Sequence, residues 1–487
     1  MEWRFYGRDE ERDLLGRMVD RERWFFARIT GRRRIGKTAL VRRVLERRPH
    51  RPVVYVQLPD AAPPGVLAAF RDALDVFDVP RDLVSPPSTL LDLARAVRTL
   101  VERGYVVAID EFQYANRAAI APLTSHLQTV VDDLAATSRP GVGGLLVLGS
   151  IHADLVALLE DRRAPLYART TDDLELSHLD VASVLRILAD HATPDPYRLL
   201  FFWNLFEGVP KFYRDAFEQG VLAADRTEAL SALFFRSSSP LRSEAERWFL
   251  AELRGRYDTV LQYVARHPGC THADLVDHVR RTDADGSHQV ASYLKALEDR
   301  FAMIERRRPI FASAKGRKSR YYVRDTFLRS WLGALQAPAS ALAFRPEADL
   351  VARADDGLRR VEGYGLERLV RTLYEERSRK GVGDFPLGEA VGGFWNRGDA
   401  DIDLVAVHAD ERRIRVGTVK RDAARLLPSL DALQASTDAL LARAPRYREW
   451  TIEPVAVAPV VDRALRATLE ARGVRAQDLH DLTQDLL

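Results

Sequence analysis

Residues 31–38 read Gly-Arg-Arg-Arg-Ile-Gly-Lys-Thr and match the phosphate-binding pattern GxxxxGK[ST] at every fixed position. The residue types suit that chemistry. Glycines let backbone N–H groups curl around phosphate oxygens. Lys37 offers a compact charge to the β- and γ-phosphates, and the Thr38 hydroxyl offers a magnesium ligand. The expected ATP-binding set is Gly31, Arg34, Gly36, Lys37, Thr38 and Ala39. A second run, Val106–Glu111 (VVAIDE), is apolar and ends in two carboxylates. Asp110 is expected to hold magnesium through water, and Glu111 to act as general base on an attacking water. Leu145–Leu148 ends in Gly149-Ser150, which makes Ser150 a candidate for orienting that water. Arg169, in Pro165-Leu-Tyr-Ala-Arg169, is a candidate γ-phosphate contact in cis or in trans.

A second group of reactive residues lies near the C-terminus. Glu367 falls on a helical pattern (GLERLVRTLYEER), and Asp403 on an apolar run, Asp401–Val407. Thr418 and Lys420 are two apart on the next run, so they share one strand face. A carboxylate and a lysine on neighbouring strands suit a magnesium-dependent nuclease.

The elements that must position these groups can be read from periodicity. Short apolar runs at 22–30, 53–58, 105–109 and 145–148 suit buried parallel strands. Helical patterns lie between them, over 38–47, 66–104 and 117–138. Strands alternating with helices imply a doubly wound sheet. From about 174 to 240 the pattern is helical throughout. Residues 244–335 carry 17 basic and 12 acidic side chains, and Arg300–Arg324 nine basic and one acidic. Their order is helix 257–266, a helix led by Thr271, a helix 287–299, and a hairpin of strands 301–306 and 319–323. That is a winged-helix layout. His288, Gln289, Lys295, Arg308, Lys315, Arg317, Lys318 and Arg320 are its candidate DNA contacts. Residues 336–348 read as the core of a linker, and after about 425 a helical tail follows.

Composition narrows the class. The chain has 487 residues, 46% hydrophobic and 29% charged, which excludes a mainly disordered protein. One cysteine, Cys270, excludes a disulfide framework. No apolar run nears the roughly 18 residues of a membrane span, and the charged start is no secretory signal, so a cytoplasmic protein with no membrane partner is expected. Net charge is +3, and only seven of the 73 basic residues are lysines. Each lysine therefore stands out, since arginine does not replace a compact ammonium.

Phe5–Glu11 (FYGRDEE), the phosphate loop, Ala108–Gln113, Leu148–Ser150, Pro165–Arg169 and Glu207–Tyr213 (EGVPKFY) occur in that order. The series resembles the archaeal-type ATPases of the AAA+/STAND group of P-loop NTPases, from residue 5 to about 425. The resemblance implies that the opening segment packs by the adenine and that the Gly208-Val209-Pro210 turn faces the base, adding Gly208 and Pro210 to the ATP set. It also implies a winged-helix domain and a restriction-endonuclease-like C-terminal domain. Two departures stand out. Ala168 replaces a usual glycine, and Thr418 replaces the glutamate two before the lysine. The latter marks the nuclease-like domain as degenerate.

The expected fold is thus α/β: a P-loop sheet (1–173), a helical lid (174–243), a winged helix (244–335), a linker (336–359) and a nuclease-like domain (360–487). The expected activity is ATP hydrolysis with Mg2+, acting on or with DNA through backbone contacts. The alternatives are a nucleotide-controlled switch with a protein partner or a second copy, and an ATP-regulated metal-dependent nuclease.

Overall fold

The computed structural model describes the chain apart from residues 1, 137–139, 150–152, 243, 245–256, 283–288, 313–318 and 397–399. Two compact units result: Gly7–His178, and Leu179–Leu487 together with the residues up to Tyr6.

The first unit is built on β1 (Phe25–Gly31), β2 (Val53–Gln57), β3 (Val106–Asp110), β4 (Gly144–Leu148) and β5 (Asp172–Leu176). All pair in parallel, in the order β2-β3-β4-β1-β5. β3 and β4 are buried at every position, which is why their sequences are continuously apolar rather than alternating. Helices Lys37–Glu46, Pro63–Val76, Leu90–Glu102 and Pro122–Ala135 make the crossovers. Local chemistry sets their ends. Thr89 and Asp92, for example, form a reciprocal capping box at the start of Leu90–Glu102. The order leaves the C-terminal ends of β1 and β3 separated only by β4, so phosphate loop and carboxylates emerge at one edge.

One strand departs from expectation. Residues 174–176 belong to β5 and not to a helical run. Asp-Asp-Leu-Glu-Leu is an edge strand with only its two leucines buried, so it lacks the apolar run that marks its neighbours.

The second unit begins with helices Val181–His191, Pro196–Phe206, Pro210–Glu218 and Arg226–Leu230. Helices Tyr257–Arg266, His272–Thr282 and Val290–Lys295 follow, then the antiparallel pair β6 (Ile304–Arg307) and β7 (Arg320–Val323). No linker follows. Residues 336–340 are helical, and one helix runs unbroken from Glu347 to Arg379. Leu350, Val351, Ala354 and Leu358 are buried at helical spacing, so this stretch belongs to the core.

The tail is not wholly helical either. β8 (Val391–Trp395), β9 (Asp401–His408), β10 (Arg413–Val419), β11 (Thr451–Ala458) and β12 (Arg475–Asp478) form a mixed sheet, ordered β12-β11-β10-β9-β8. β8, β9 and β10 pair antiparallel, and β10, β11 and β12 parallel. The parallel step needs a crossover, which Leu430–Arg443 supplies. Among the described residues, no helix is long and apolar enough to cross a membrane.

The long helix is tied down by buried charges. Glu362 accepts from Arg226 (2.5 Å) and Arg421 (2.6 Å). Arg368 donates to Glu207 (2.7 Å). Glu376 accepts from the backbone N–H groups of Val181 (2.7 Å) and Ala182 (3.0 Å).

Candidate functional site

The first site lies where β1 runs into helix Lys37–Glu46. Gly31 ends β1 in register with Leu176 of β5, and a Cβ there would come within 2.6 Å of the Leu176 carbonyl oxygen. Gly36 caps the helix at φ 97°, and Arg34 also takes a left-handed conformation, φ 65°. The chain thus curls where a phosphate cradle must curl, with the helix N-terminus beyond it. Lys37 is buried, and its ammonium donates to the carbonyls of Gly31 (2.8 Å) and Arg32 (3.2 Å). Burial pulls its pKa down to about 8, partly offset by the charges of Asp110 and Glu111. Ala39 lies in the first turn of the same helix.

The Thr38 hydroxyl donates to the Asp110 carboxylate at 2.7 Å. The phosphate loop and the end of β3 therefore meet, though 72 residues separate them. Asp110 also accepts from the Tyr55 hydroxyl and from the Glu111 backbone N–H at 2.7 Å. Every one of these donors is neutral, so none of them cancels the carboxylate. An anionic and a neutral hard oxygen this close fit a magnesium ion that retains most of its waters. Glu111 takes φ 53°, a left-handed turn that separates its side chain from the strand direction. The Gln113 amide donates to its carboxylate. A Cβ on Gly149 would stand 2.7 Å from the Gln113 amide oxygen, so the glycine at the end of β4 makes room for that glutamine.

Three contributors were given no role from the sequence, although Arg8 and Gln113 fall inside the segments Phe5–Glu11 and Ala108–Gln113. Tyr55 and Gln113 hold the two carboxylates. Arg8 is buried and donates to the carbonyls of Ile35 (3.3 Å) and Ser177 (2.5 Å), tying the start of the unit to the phosphate loop. Its place beside Gly7 in the Phe5–Glu11 segment was the available signal, and its φ is 67°.

The remaining candidates divide. Ser150 lies outside the described residues. Arg169 makes a two-pronged ion pair with Asp132 of helix Pro122–Ala135, at 2.7 and 3.1 Å. It also donates to the Tyr167 carbonyl at 3.2 Å. Ala168 holds φ 56°, a conformation glycine adopts freely and alanine only at a cost, which accounts for the usual glycine there. Gly208 and Pro210 belong to the other unit, where Gly208 accepts from Leu179 N–H at 2.8 Å and Pro210 opens a helix. Glu207 beside them is buried and accepts from the Thr326 hydroxyl and Arg368, both at 2.7 Å.

The second site is assembled from the long helix, β9 and β10. One Asp403 carboxylate oxygen accepts from Lys420 (2.8 Å), the Val419 backbone N–H (2.8 Å) and Thr418 (3.4 Å). Thr418 also shares a hydrogen bond with Ser429 (3.2 Å). Glu367 stands beside Asp403, with Arg371 near its carboxylate at 3.5 Å. Burial, then the Asp403 charge, push the Glu367 carboxyl up to about 8. The four expected residues therefore meet. Asp422, just beyond Lys420, caps a turn at Ala424. Among the described residues, no group of three or more His, Cys, Asp or Glu side chains is arranged to hold a metal.

Four of the eight basic-domain candidates lie among the described residues. His288, Lys315, Arg317 and Lys318 lie outside the described residues. Gln289 precedes helix Val290–Lys295 and accepts from Tyr293; Lys295 and Arg308 are exposed. Arg320 is partly exposed and already paired. It donates to Asp401 at 2.9 Å and lies 4.6 Å from the Trp395 ring centre. The C-terminal sheet offers this cation a carboxylate and an aromatic face together, so Arg320 is no free wing contact.

No family model matches the chain. An uncharacterised protein of Methanocaldococcus jannaschii is 23% identical over 429 residues, which span 85% of this chain and 87% of that one. Among solved structures, the Walker-type ATPase of Pyrococcus abyssi aligns with a TM-score of 0.51 at 17% identity, covering 67% of this chain and 96% of that one. The ORC2 protein of Aeropyrum pernix aligns at TM-score 0.46 and 16% identity, covering 72% and 94%. With the sheet order above, the Pyrococcus likeness establishes an α/β chain carrying the P-loop NTPase fold.

Proposed function

We propose that the chain binds ATP with Mg2+ at the end of β1 and hydrolyses it, as an ATPase of AAA+/STAND type. The observation that carries this reading is the Thr38–Asp110 contact, with Lys37 and Glu111 on either side. Backbone N–H groups of the loop and Lys37 hold the phosphates. Thr38 and Asp110 hold the metal and its waters. Glu111, steadied by Gln113, takes a proton from the attacking water, leaving inorganic phosphate and ADP. Charge neutralisation of the γ-phosphate is the chemistry the ion supplies when bound.

Hydrolysis is further proposed to act on or with DNA. Lys295 and Arg308 are exposed, and Lys315, Arg317 and Lys318 belong to the same basic run. Arg320 is left out of that set because it is committed to Asp401. The test is ATP turnover of the full chain with and without duplex DNA, beside Lys37→Ala. The reading expects turnover that DNA stimulates and Lys37→Ala nearly abolishes. Neutralising Lys315, Arg317 and Lys318 together should flatten the salt dependence of DNA affinity, by about 0.9 in the log–log slope for each phosphate that is no longer neutralised. An unaltered slope excludes a wing on DNA.

A second reading, a nucleotide-controlled switch with a protein partner, is favoured by the ties between helical segment and long helix. Glu207, next to the Gly208–Pro210 turn, grips Arg368, whose neighbour Glu367 enters the second site. Slow turnover with tightly held ADP, unaffected by DNA, would select it. For the second site we propose weak or no magnesium-dependent cleavage, since Thr418 replaces a charged ligand and Lys420 already occupies Asp403.

A further inference from the structure

A groove of about 740 Å³ opens on the second unit between the C-terminal end of helix Tyr257–Arg266 and the first half of the long helix. Its floor is small and apolar: Ala334, Ala337, Pro338, Ala341, Leu350 and Val361. Its walls carry four arginines, Arg266, Arg345, Arg353 and Arg360, all exposed. Among the described residues, no carboxylate lines it. Among them too, Arg266, Arg345 and Arg353 make no ion pair, and Arg360 reaches only the Asp356 carbonyl, at 3.2 Å. Phe344, which precedes Arg345 in the sequence, is 86% exposed.

We propose that this groove is a docking site for an acidic amphipathic helix of a protein partner. Arg353 and Arg360 are seven residues apart on one helix, so they lie on nearly the same face, about 10 Å apart. Leu350 and Gly357 repeat at the same interval along the seam between them. A partner helix with apolar residues at heptad spacing would fill that seam, and glutamates flanking its apolar stripe would meet the arginines. Unpaired guanidinium groups favour carboxylates because a planar fork meets both oxygens at once.

Nucleic acid fits the groove less well. A phosphate backbone has no use for an apolar floor. Splayed bases need aromatic platforms, and the ring among the described lining residues, His267, is already stacked on Tyr263 at 4.2 Å. The inference is independent of the nucleotide reading, since no described lining residue comes from the phosphate-loop unit.

The probe is a pair of fluorescein-labelled helical peptides of about 20 residues, long enough to span the seam. Both carry leucine at heptad a and d positions, one with flanking glutamates and one with flanking lysines. Fluorescence anisotropy on the full chain should show binding of the glutamate peptide only, weakening as salt rises from about 0.05 to 0.5 M. Arg353→Glu with Arg360→Glu should weaken it about tenfold or more and let the lysine peptide bind instead. If that double variant fails to fold, Arg353→Gln with Arg345→Gln should still weaken the glutamate peptide. Equal binding of both peptides, or affinity that neither variant changes, overturns the proposal. So does a duplex oligonucleotide that displaces the peptide and itself loses affinity in Arg353→Glu/Arg360→Glu, which would make the groove a nucleic-acid surface.

Discussion

Two strand ends in this chain set an aspartate against a threonine hydroxyl with a lysine close by, and their electrostatics come out opposite. At β3, Asp110 accepts from Thr38, Tyr55 and a backbone N–H, all neutral, while Lys37 turns its ammonium to main-chain carbonyls. At β9, Asp403 accepts from Lys420 itself, and Arg371 stands by Glu367. Glu367, pushed up to about 8, is largely uncharged at neutral pH. The first constellation leaves its aspartate without a cationic partner; the second has already cancelled its own charge. Similar residue types thus leave a carboxylate open to a cation or close it in an ion pair, according to where the lysine points.

The contrast can be broken in three places. Glu111→Gln carries the largest effect. The water loses its base while Thr38 and Asp110 stay, so turnover should fall about 10²- to 10⁴-fold with ATP still bound. Asp403→Asn should leave turnover unchanged. Wild-type turnover in Glu111→Gln would remove Glu111 from the chemistry. Next in size is Thr418→Glu combined with Lys420→Met, which adds an anion and removes the competing cation. Calorimetry with manganese, which tolerates imperfect ligand sets, should show binding that the wild type lacks. Robust wild-type cleavage of DNA in magnesium, abolished in Asp403→Ala, would instead make the second site an active nuclease.

The smallest effect is on stability. The Glu367 carboxyl holds its proton in the folded chain to about pH 8, whereas its ordinary value is 4.5. The folded state therefore binds the extra proton between those values, and this contribution to stability is full at low pH and lost as pH rises toward 8. Glu367→Gln stays neutral throughout. Its melting temperature should exceed that of the wild type by a margin that grows between about pH 5 and 8, to roughly 2–4 °C. A constant margin would mean Glu367 titrates normally.

The first site was legible because its chemistry is local. Gly31–Thr38 must sit between a strand and a helix, and Asp110-Glu111 must end a buried strand, so spacing alone places them. Arg8, Tyr55 and Gln113 escaped because each acts on a neighbour through the fold, with no fixed interval to the residue it holds. Asp403, Thr418 and Lys420 were legible because Asp403 and Thr418 lie on adjacent antiparallel strands and Lys420 directly follows the second. Arg320 pairs with Asp401, and a run of cations does not say which of its side chains finds a carboxylate within the fold. β5, β11 and β12 were missed for a related reason. β11 opens with half-exposed residues and contains Pro454, and β12 is four residues long, so neither has the apolar run that marked β3.

The helix Glu347–Arg379 has 33 residues and so measures about 50 Å. Glu376 fastens it near one end to Val181 and Ala182, Arg368 to Glu207 in the middle, and Glu362 to Arg226. Such a bar has a lever arm. A tilt of about 10° around one end displaces the other by roughly 9 Å, more than one helical turn. The same bar floors the arginine-walled groove at Leu350–Val361 and holds Glu367 against β9. The groove and the carboxyl pocket thus ride on one stiff part, and neither can swing without carrying the other.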